Sequence, residues 1–310
     1  MNILKPINIT DSMIGSGTTL AEDTTPAWVA GTVYTVGQEV HRTSTHRVYR
    51  CTTNTSDSVP PEQAITTWVD MRPTNRWAPF DYYTSTAAVA AVSTTISYRL
   101  VNMGYYDTIY IRGIEGQQLV ITLRDKPQSA GGVVVHQQTI DLVEPPGGWY
   151  EYLFSDLTSI PFAVVKGFFA QPPYELQIDV VPFTGSSAKI GLIAIGGLVP
   201  LAGGMVSSGI ERGSQAEPVT YSYISTAEDG TTTIHRRHSA TNLRLSATVP
   251  IEQADEAVRQ IKAVLDIPVA VIGDSTNPYI KELTTFGLVS GSVTYDFTTA
   301  NISLNVKGLV

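Results

Sequence analysis

Trp28-Val-Ala-Gly31-Thr-Val-Tyr34-Thr-Val-Gly37-Gln-Glu-Val40, continued by Val48-Tyr49-Arg50-Cys51, Pro60-Pro61, Trp68 and Asn75-Arg76-Trp77-Ala78-Pro79-Phe80-Asp81, is the densest aromatic stretch of the chain. It holds three of the four tryptophans. Val40 and Val48-Tyr49-Arg50-Cys51 have the β-branched and aromatic character of short strands, and Gly31 and Gly37 supply turns. The expectation is a very small three-stranded β module. A unit of this size buries little area, so a few large rings must form its core. Trp28, Tyr34, Tyr49 and Trp68 are the candidates.

The order Ala27-Trp28, Tyr34-x-x-Gly37-x-x-Val40, Tyr49-x-Cys51, proline and a closing Trp68 resembles the small chitin-binding modules appended to secreted glycosidases. The resemblance covers residues 27–69. In that family the ligand stacks on exposed rings that follow the Tyr-x-Cys strand. Here Thr52-Thr53-Asn54-Thr55-Ser56-Asp57 stands in that place and contains no ring. Two readings follow: a rigid aromatic-cored spacer or docking module, which the missing platform favours, and a retained glycan binder.

A second resemblance spans roughly the first two thirds of the chain. Lys5-Pro6-Ile7-Asn8-Ile9-Thr10-Asp11, the module, the Thr74-Asn75-Arg76-Trp77-Ala78-Pro79-Phe80-Asp81 exit and the β-rich continuation together look like a class of tailed-bacteriophage virion proteins. Those carry such a module near the start and a β-sandwich after it. The resemblance implies a structural protein of the baseplate or tail tip, assembled in the host cytoplasm and working through contacts with other tail proteins as a symmetric homo-oligomer. Arg76, Trp77, Phe80 and Asp81 are then the exit and docking segment. The rival expectation is a tail protein that recognises a host surface polysaccharide, for which Tyr82, Tyr83, Tyr105 and Tyr106 are the visible spare rings. A polysaccharide-degrading enzyme is the weakest of the three readings.

Composition narrows the class. The chain has 310 residues, enough for two or three domains, with 43% hydrophobic and only 15% charged residues. Low charge with abundant Thr, Ser, Val and Tyr favours β structure. A net charge of −8 argues against nucleic acid, which demands clustered Lys and Arg. The one basic cluster, His235-Arg236-Arg237-His238, would alternate faces on a strand and so form no single basic face. The lone Cys51 excludes an intrachain disulfide and reads as a small buried residue. No secretory signal is visible, and the apolar run from Ile190 to Val206 is broken by glycines and a proline, which argues against a membrane span.

Four regions are expected: an extended arm over 1–25, the chitin-binding-like module with its exit segment over 26–86, a β-sandwich or jelly-roll domain over 87–202, and an α+β assembly domain over 203–310. The arm, rich in Gly, Ser and Thr, is expected to order against a neighbouring subunit or the chain's own body. Strands of the sandwich are expected at 96–101, 108–112, 118–123, 133–137, 150–154, 174–180 and 189–195. In the last region 219–225, 232–238, 242–249, 269–272, 281–288, 291–297 and 301–306 read as strands. Ala254, Ala257, Val258, Ile261, Val264 and Leu265 mark one amphipathic helix, with Pro250 at its start and Pro268 beyond it. The whole is mainly β and multidomain.

No catalytic residue, cofactor or metal site is expected. Gly273-Asp274-Ser275 after an apolar strand resembles the nucleophile block of SGNH esterases, but no histidine follows it. A turn is the preferred reading. His41 and His46, and His235 and His238, lack Cys or carboxylates at ligand spacing. Gly196-Gly197 and Gly203-Gly204 lack the Lys-Ser or Lys-Thr of a phosphate loop, and read as a hinge.

Overall fold

The computed structural model describes residues 1–56, 58–144, 148–154, 159–202, 210–211, 213–273 and 283–309. The expected turn at Asp274-Ser275 and the Gly203-Gly204 pair lie outside these residues.

The chain is mainly β, multidomain, with one C-terminal helix. Its first strand is β1 (Asn2–Pro6), and the small module consists of β2 (Glu39–Arg42), β3 (Arg47–Cys51) and β4 (Trp68–Pro73). The sandwich region contains β5 (Ala88–Val89), β6 (Ile96–Val101), β7 (Tyr106–Arg112), β8 (Gln118–Arg124), β9 (Val134–Asp141), β10 (Phe162–Ala170), β11 (Glu175–Val181), β12 (Lys189–Ile190) and β13 (Leu192–Pro200). A short helix α1 (Trp149–Phe154) lies between β9 and β10. The last region contains β14 (Gln215–Thr220), β15 (Tyr223–Thr226), β16 (Thr232–His235), β17 (Ser239–Pro250), α2 (Ile251–Lys262), β18 (Val269–Ile272), β19 (Thr284–Tyr295) and β20 (Thr299–Gly308).

One nine-stranded sheet, in the order β10-β7-β13-β1-β18-β19-β20-β17-β14, runs across both large regions. The strand that joins them is β1. It pairs antiparallel with β13, Leu4 opposite Leu198, and on its other side with β18, Leu4 opposite Ala270. The segment expected as an extended arm is therefore spent inside the chain's own body. Residues farther along it continue the role: Gly15 N–H donates to the Arg99 carbonyl and Thr19 N–H to the Ser97 carbonyl, which lays the segment along the edge of β6.

A four-stranded sheet, β6-β11-β8-β9, packs on the β10-β7-β13 end of the large sheet. Period-two alternation makes the core: Ile96, Tyr98 and Leu100 from β6, and Leu176, Ile178 and Val180 from β11, meet Ile109, Ile111, Ile193 and Ile195 from the other layer. At the opposite end α2 covers the large sheet. Ala254, Ala257, Ile261 and Val264 are buried against Leu243, Leu245, Ile302 and Leu304. Glu252 in the first turn and Arg259 and Lys262 in the last complement the helix dipole. Leu265, expected in the buried stripe, is exposed because the helix ends at Lys262.

Several expectations on strands fail: 189–195 is divided between β12 and β13, and 219–225 between β14, which ends at Thr220, and β15, which begins at Tyr223. Residues 150–154 form α1, not a strand; in Trp149-Tyr-Glu-Tyr-Leu-Phe154 only Glu151 is charged, which leaves too little contrast for alternation to discriminate. The sandwich strand at this level is β10, whose Lys166-Gly167 interrupts its apolar run. Segments 281–288 and 291–297 are not separate strands: the described part from Thr284 is one long strand, β19, paired with β20 as far as Tyr295 opposite Ala300.

Candidate docking hub and exposed surfaces

The module has the three antiparallel strands its sequence implied. Tyr34, Tyr49 and Trp68 are buried with Val40 and Cys51, and Tyr34 meets Trp68 edge to face at 5.2 Å. Trp28 takes a different place. It lies half-buried at the rim, with the Arg42 guanidinium 4.8 Å over its ring. Tyr34 Oη accepts from Val29 N–H at 2.8 Å, which ties the first loop to the ring core.

The exit segment is the point where all regions of the chain meet. Trp77 stacks on His46 of the module at 4.0 Å, turns its edge to Phe80 at 5.9 Å, and Phe80 meets Tyr98 of β6 at 5.5 Å. The buried Tyr98 hydroxyl donates to the Arg76 carbonyl at 2.7 Å, and burial pushes its pKa up, so it stays a donor. The Arg76 guanidinium in turn donates through Nε and Nη2 to the Leu20 carbonyl. Asp81 caps the following loop: Oδ1 accepts from Tyr83 N–H at 2.9 Å and Oδ2 from Thr86 Oγ1 at 2.6 Å. Burial raises the Asp81 carboxyl above its ordinary range, against the opposing pull of those two donors.

Tyr82, at a left-handed φ of 67°, places its ring on Phe286 of β19 at 5.8 Å, and Phe286 lies 6.4 Å from Tyr110 of β7. These rings surround Leu4 of β1 on the second face of the large sheet. Each such ring pair adds about 0.5–1.5 kcal/mol beyond the area it buries. Module, sandwich and last region are thereby held by one short segment, Trp77 to Tyr82.

Three carboxylates of the first segment, Asp11, Glu22 and Asp23, clamp the module from the other side. Glu22 Oε1 accepts from Thr74 Oγ1 at 2.9 Å and lies 2.9 Å from His46 Nδ1, while Asp11 Oδ2 lies 3.1 Å from His46 Nε2. Asp23 accepts both Arg72 guanidinium nitrogens, at 2.7 and 3.0 Å. His41 is used in the same seam, its Nδ1 2.7 Å from the Thr25 carbonyl. Among the described residues no group of three or more His, Cys, Asp or Glu is placed to hold a metal ion.

The four spare tyrosines do not form one platform. Tyr106 lies in the core, edge to face with Phe168, and Tyr82 is half-buried on Phe286. Only Tyr83 and Tyr105 are exposed, and Tyr105 stacks at 5.9 Å on the equally exposed Phe169. Consecutive tyrosines on and beside a strand point to opposite faces, so one of the pair Tyr105-Tyr106 had to go inward.

Sequence reasoning missed two surfaces. In α1, Trp149, Tyr150, Tyr152, Leu153 and Phe154 are all exposed, Trp149 to 75% and Phe154 to 69%. The hairpin of β15 and β16 is exposed along its whole length, with Ile224 opposite Ile234 on one face. A density of apolar residues without a periodic partner was the available signal for the first.

No protein-family model and no curated protein matches the chain. Among the described residues no helix is long and apolar enough to cross a membrane.

Proposed function

We propose that this chain is a non-enzymatic structural protein of a tailed-phage virion, in the baseplate or tail tip, acting through protein–protein contacts in a symmetric homo-oligomer. The observation that carries the assembly reading is α1, whose five large apolar side chains find no cover among the described residues. Isolated proteins rarely leave so much contiguous apolar surface in water, and such a surface marks a contact site. The viral part of the reading rests on the order of the opening segment, module and exit.

Two further features support it. Among the described residues the large sheet ends at β10 and β14, edges along which a neighbour's strand could be added. The exit and first segments are consumed in holding the chain together, so contact with partners falls to α1, the hairpin and these edges.

The test is the mass of the purified chain in solution, with electron microscopy of its assemblies and of particles that contain it. A defined ring or location at the tail end is expected, and Trp149→Ser with Phe154→Ser should reduce assembly while leaving the unfolding midpoint unchanged. A strict monomer absent from particles would overturn the proposal.

A further inference from the structure

At its base, beyond β16 and away from the Glu228-Asp229 turn at its tip, the hairpin of β15 and β16 carries two adjacent arginines, Arg236 and Arg237, on an otherwise acidic protein. Tyr223 and His235 face each other in its register and stack at 4.6 Å, His235 Nε2 lies 2.9 Å from Ser225 Oγ, and the Arg237 guanidinium lies 4.9 Å over the Tyr223 ring. Beyond His235 the chain leaves strand geometry. Arg237 N–H donates to Ser222 Oγ at 2.9 Å and Tyr221 N–H to the His238 carbonyl at 3.3 Å. Strict alternation would divide Arg236, Arg237 and His238 between two faces. The irregular backbone instead brings them to one cleft of about 550 Å³, shared with Tyr221 and with Ser85 from the loop after the exit segment.

Neither Arg236 nor Arg237 has a carboxylate partner among the described residues. Two uncompensated guanidiniums within a chain of net charge −8 reverse the local sign of the field. Their planar forks match a carboxylate in two parallel hydrogen bonds. The partly exposed ring of Tyr221 supplies an apolar face next to them. An anion on a flat, C–H-rich ring would engage both.

We propose that this cleft binds an anionic glycan, with Arg236 and Arg237 on the carboxylate of a sugar acid and Tyr221 under the sugar ring. Nucleic acid would need a basic groove that follows many phosphates. Two arginines in one cleft of an acidic surface suit one charged sugar instead. The site lies away from the module whose sugar-stacking rings are missing, and the proposal stands whether or not the chain belongs to a virion.

The test is calorimetric titration of the full chain at low salt with three probes: an oligogalacturonate, its methyl ester, and a single-stranded oligonucleotide of similar length. The oligogalacturonate is expected to bind, the neutral ester about tenfold or more weakly, and affinity should fall as salt screens the charges. Arg236→Gln and Tyr221→Ala should each weaken binding by about tenfold or more. Both side chains are exposed at the base of the β15–β16 hairpin, so an unchanged unfolding midpoint separates lost binding from lost fold. Equal binding of acid and ester, binding unaffected by either substitution, tighter binding of the oligonucleotide, or no binding of the oligogalacturonate would each overturn the proposal.

Discussion

Replacing Asp23 by asparagine tests whether the seam between the first segment and the module is held electrostatically. The Asp23 side chain is only 1% exposed. Its two oxygens accept from Arg72 Nη1 and Nη2, Thr25 N–H and Oγ1, and Asn75 N–H, all between 2.7 and 3.0 Å. Burial alone would raise its pKa, but Arg72 and the other donors outweigh burial and hold the carboxyl far below the usual carboxylate range. Asp23→Asn keeps one acceptor and turns an NH₂ group toward Arg72 Nη1 and Asn75 N–H. The Arg72 side chain is 41% exposed and regains water, so the lost ion pair is counted at only about 1 kcal/mol. The stranded Asn75 N–H costs about 2 kcal/mol. Together they amount to about 3 kcal/mol, roughly a hundredfold in the folding equilibrium at pH 7.

The pH dependence gives the sharper check. A depressed folded pKa contributes stability that is fully present above the unfolded value near 4 and is lost as pH falls below it toward the folded value. The variant lacks this contribution. Urea unfolding followed by tryptophan emission reports it directly, because Trp28, Trp68 and Trp77 lie in the module and its exit. The gap between wild type and variant should be about 3 kcal/mol at pH 7 and should narrow steadily below pH 4. A gap under about 0.5 kcal/mol at pH 7, or one that is the same at pH 7 and pH 3, would refute the reasoning.

Two further outcomes are expected. Asp81 has the opposite sign: its raised folded pKa means that its stabilising contribution is present below the unfolded pKa and is lost as pH rises through the folded one, so Asp81→Asn should leave stability at pH 7 unchanged or higher by a few tenths of a kcal/mol, measured in the same titration. A loss above about 1 kcal/mol would contradict that. In the seam of the large sheet, a Cβ at Gly196 would stand 2.1 Å from the Lys5 carbonyl oxygen, whereas one at Gly197 would meet nothing within 4 Å. Gly196→Ala should therefore cost about 3 kcal/mol or more and speed hydrogen exchange in β1, while Gly197→Ala should be tolerated; similar behaviour of the two would remove β1 from the role assigned to it.

The local patterns were legible where one face of an element is buried and the other wet. Thr299 to Gly308 alternates buried and exposed through β20, and Ala254, Ala257 and Ile261 fall on the buried side of α2. Tyr34, Tyr49 and Trp68 were identifiable as a core because so small a module needs large rings, but that Trp28 stays half-buried at the rim was not legible from its size. Legibility failed where large apolar and aromatic residues crowd the segment and a single charged residue gives no periodic contrast. Trp149 to Phe154 offers no contrast between faces, and Phe162 to Ala170 is interrupted in the middle, so neither type nor register shows in the residues alone.

What the sequence by itself determined was the kind of structure: a β-rich chain, an aromatic-cored module, one amphipathic helix, and a cluster of rings at Arg76-Trp77-Phe80-Asp81. These follow from composition and short-range periodicity, which act on neighbours a few residues apart. Only the tertiary structure decided what those parts touch. That β1 lies between β13 and β18, that Trp77 leans on His46 while Tyr82 leans on Phe286, and that Arg236 and Arg237 share a cleft with Tyr221 all depend on segments far apart in the chain. Alternation states which side of a strand is dry. The partner that makes it dry is chosen by the packing of the whole chain.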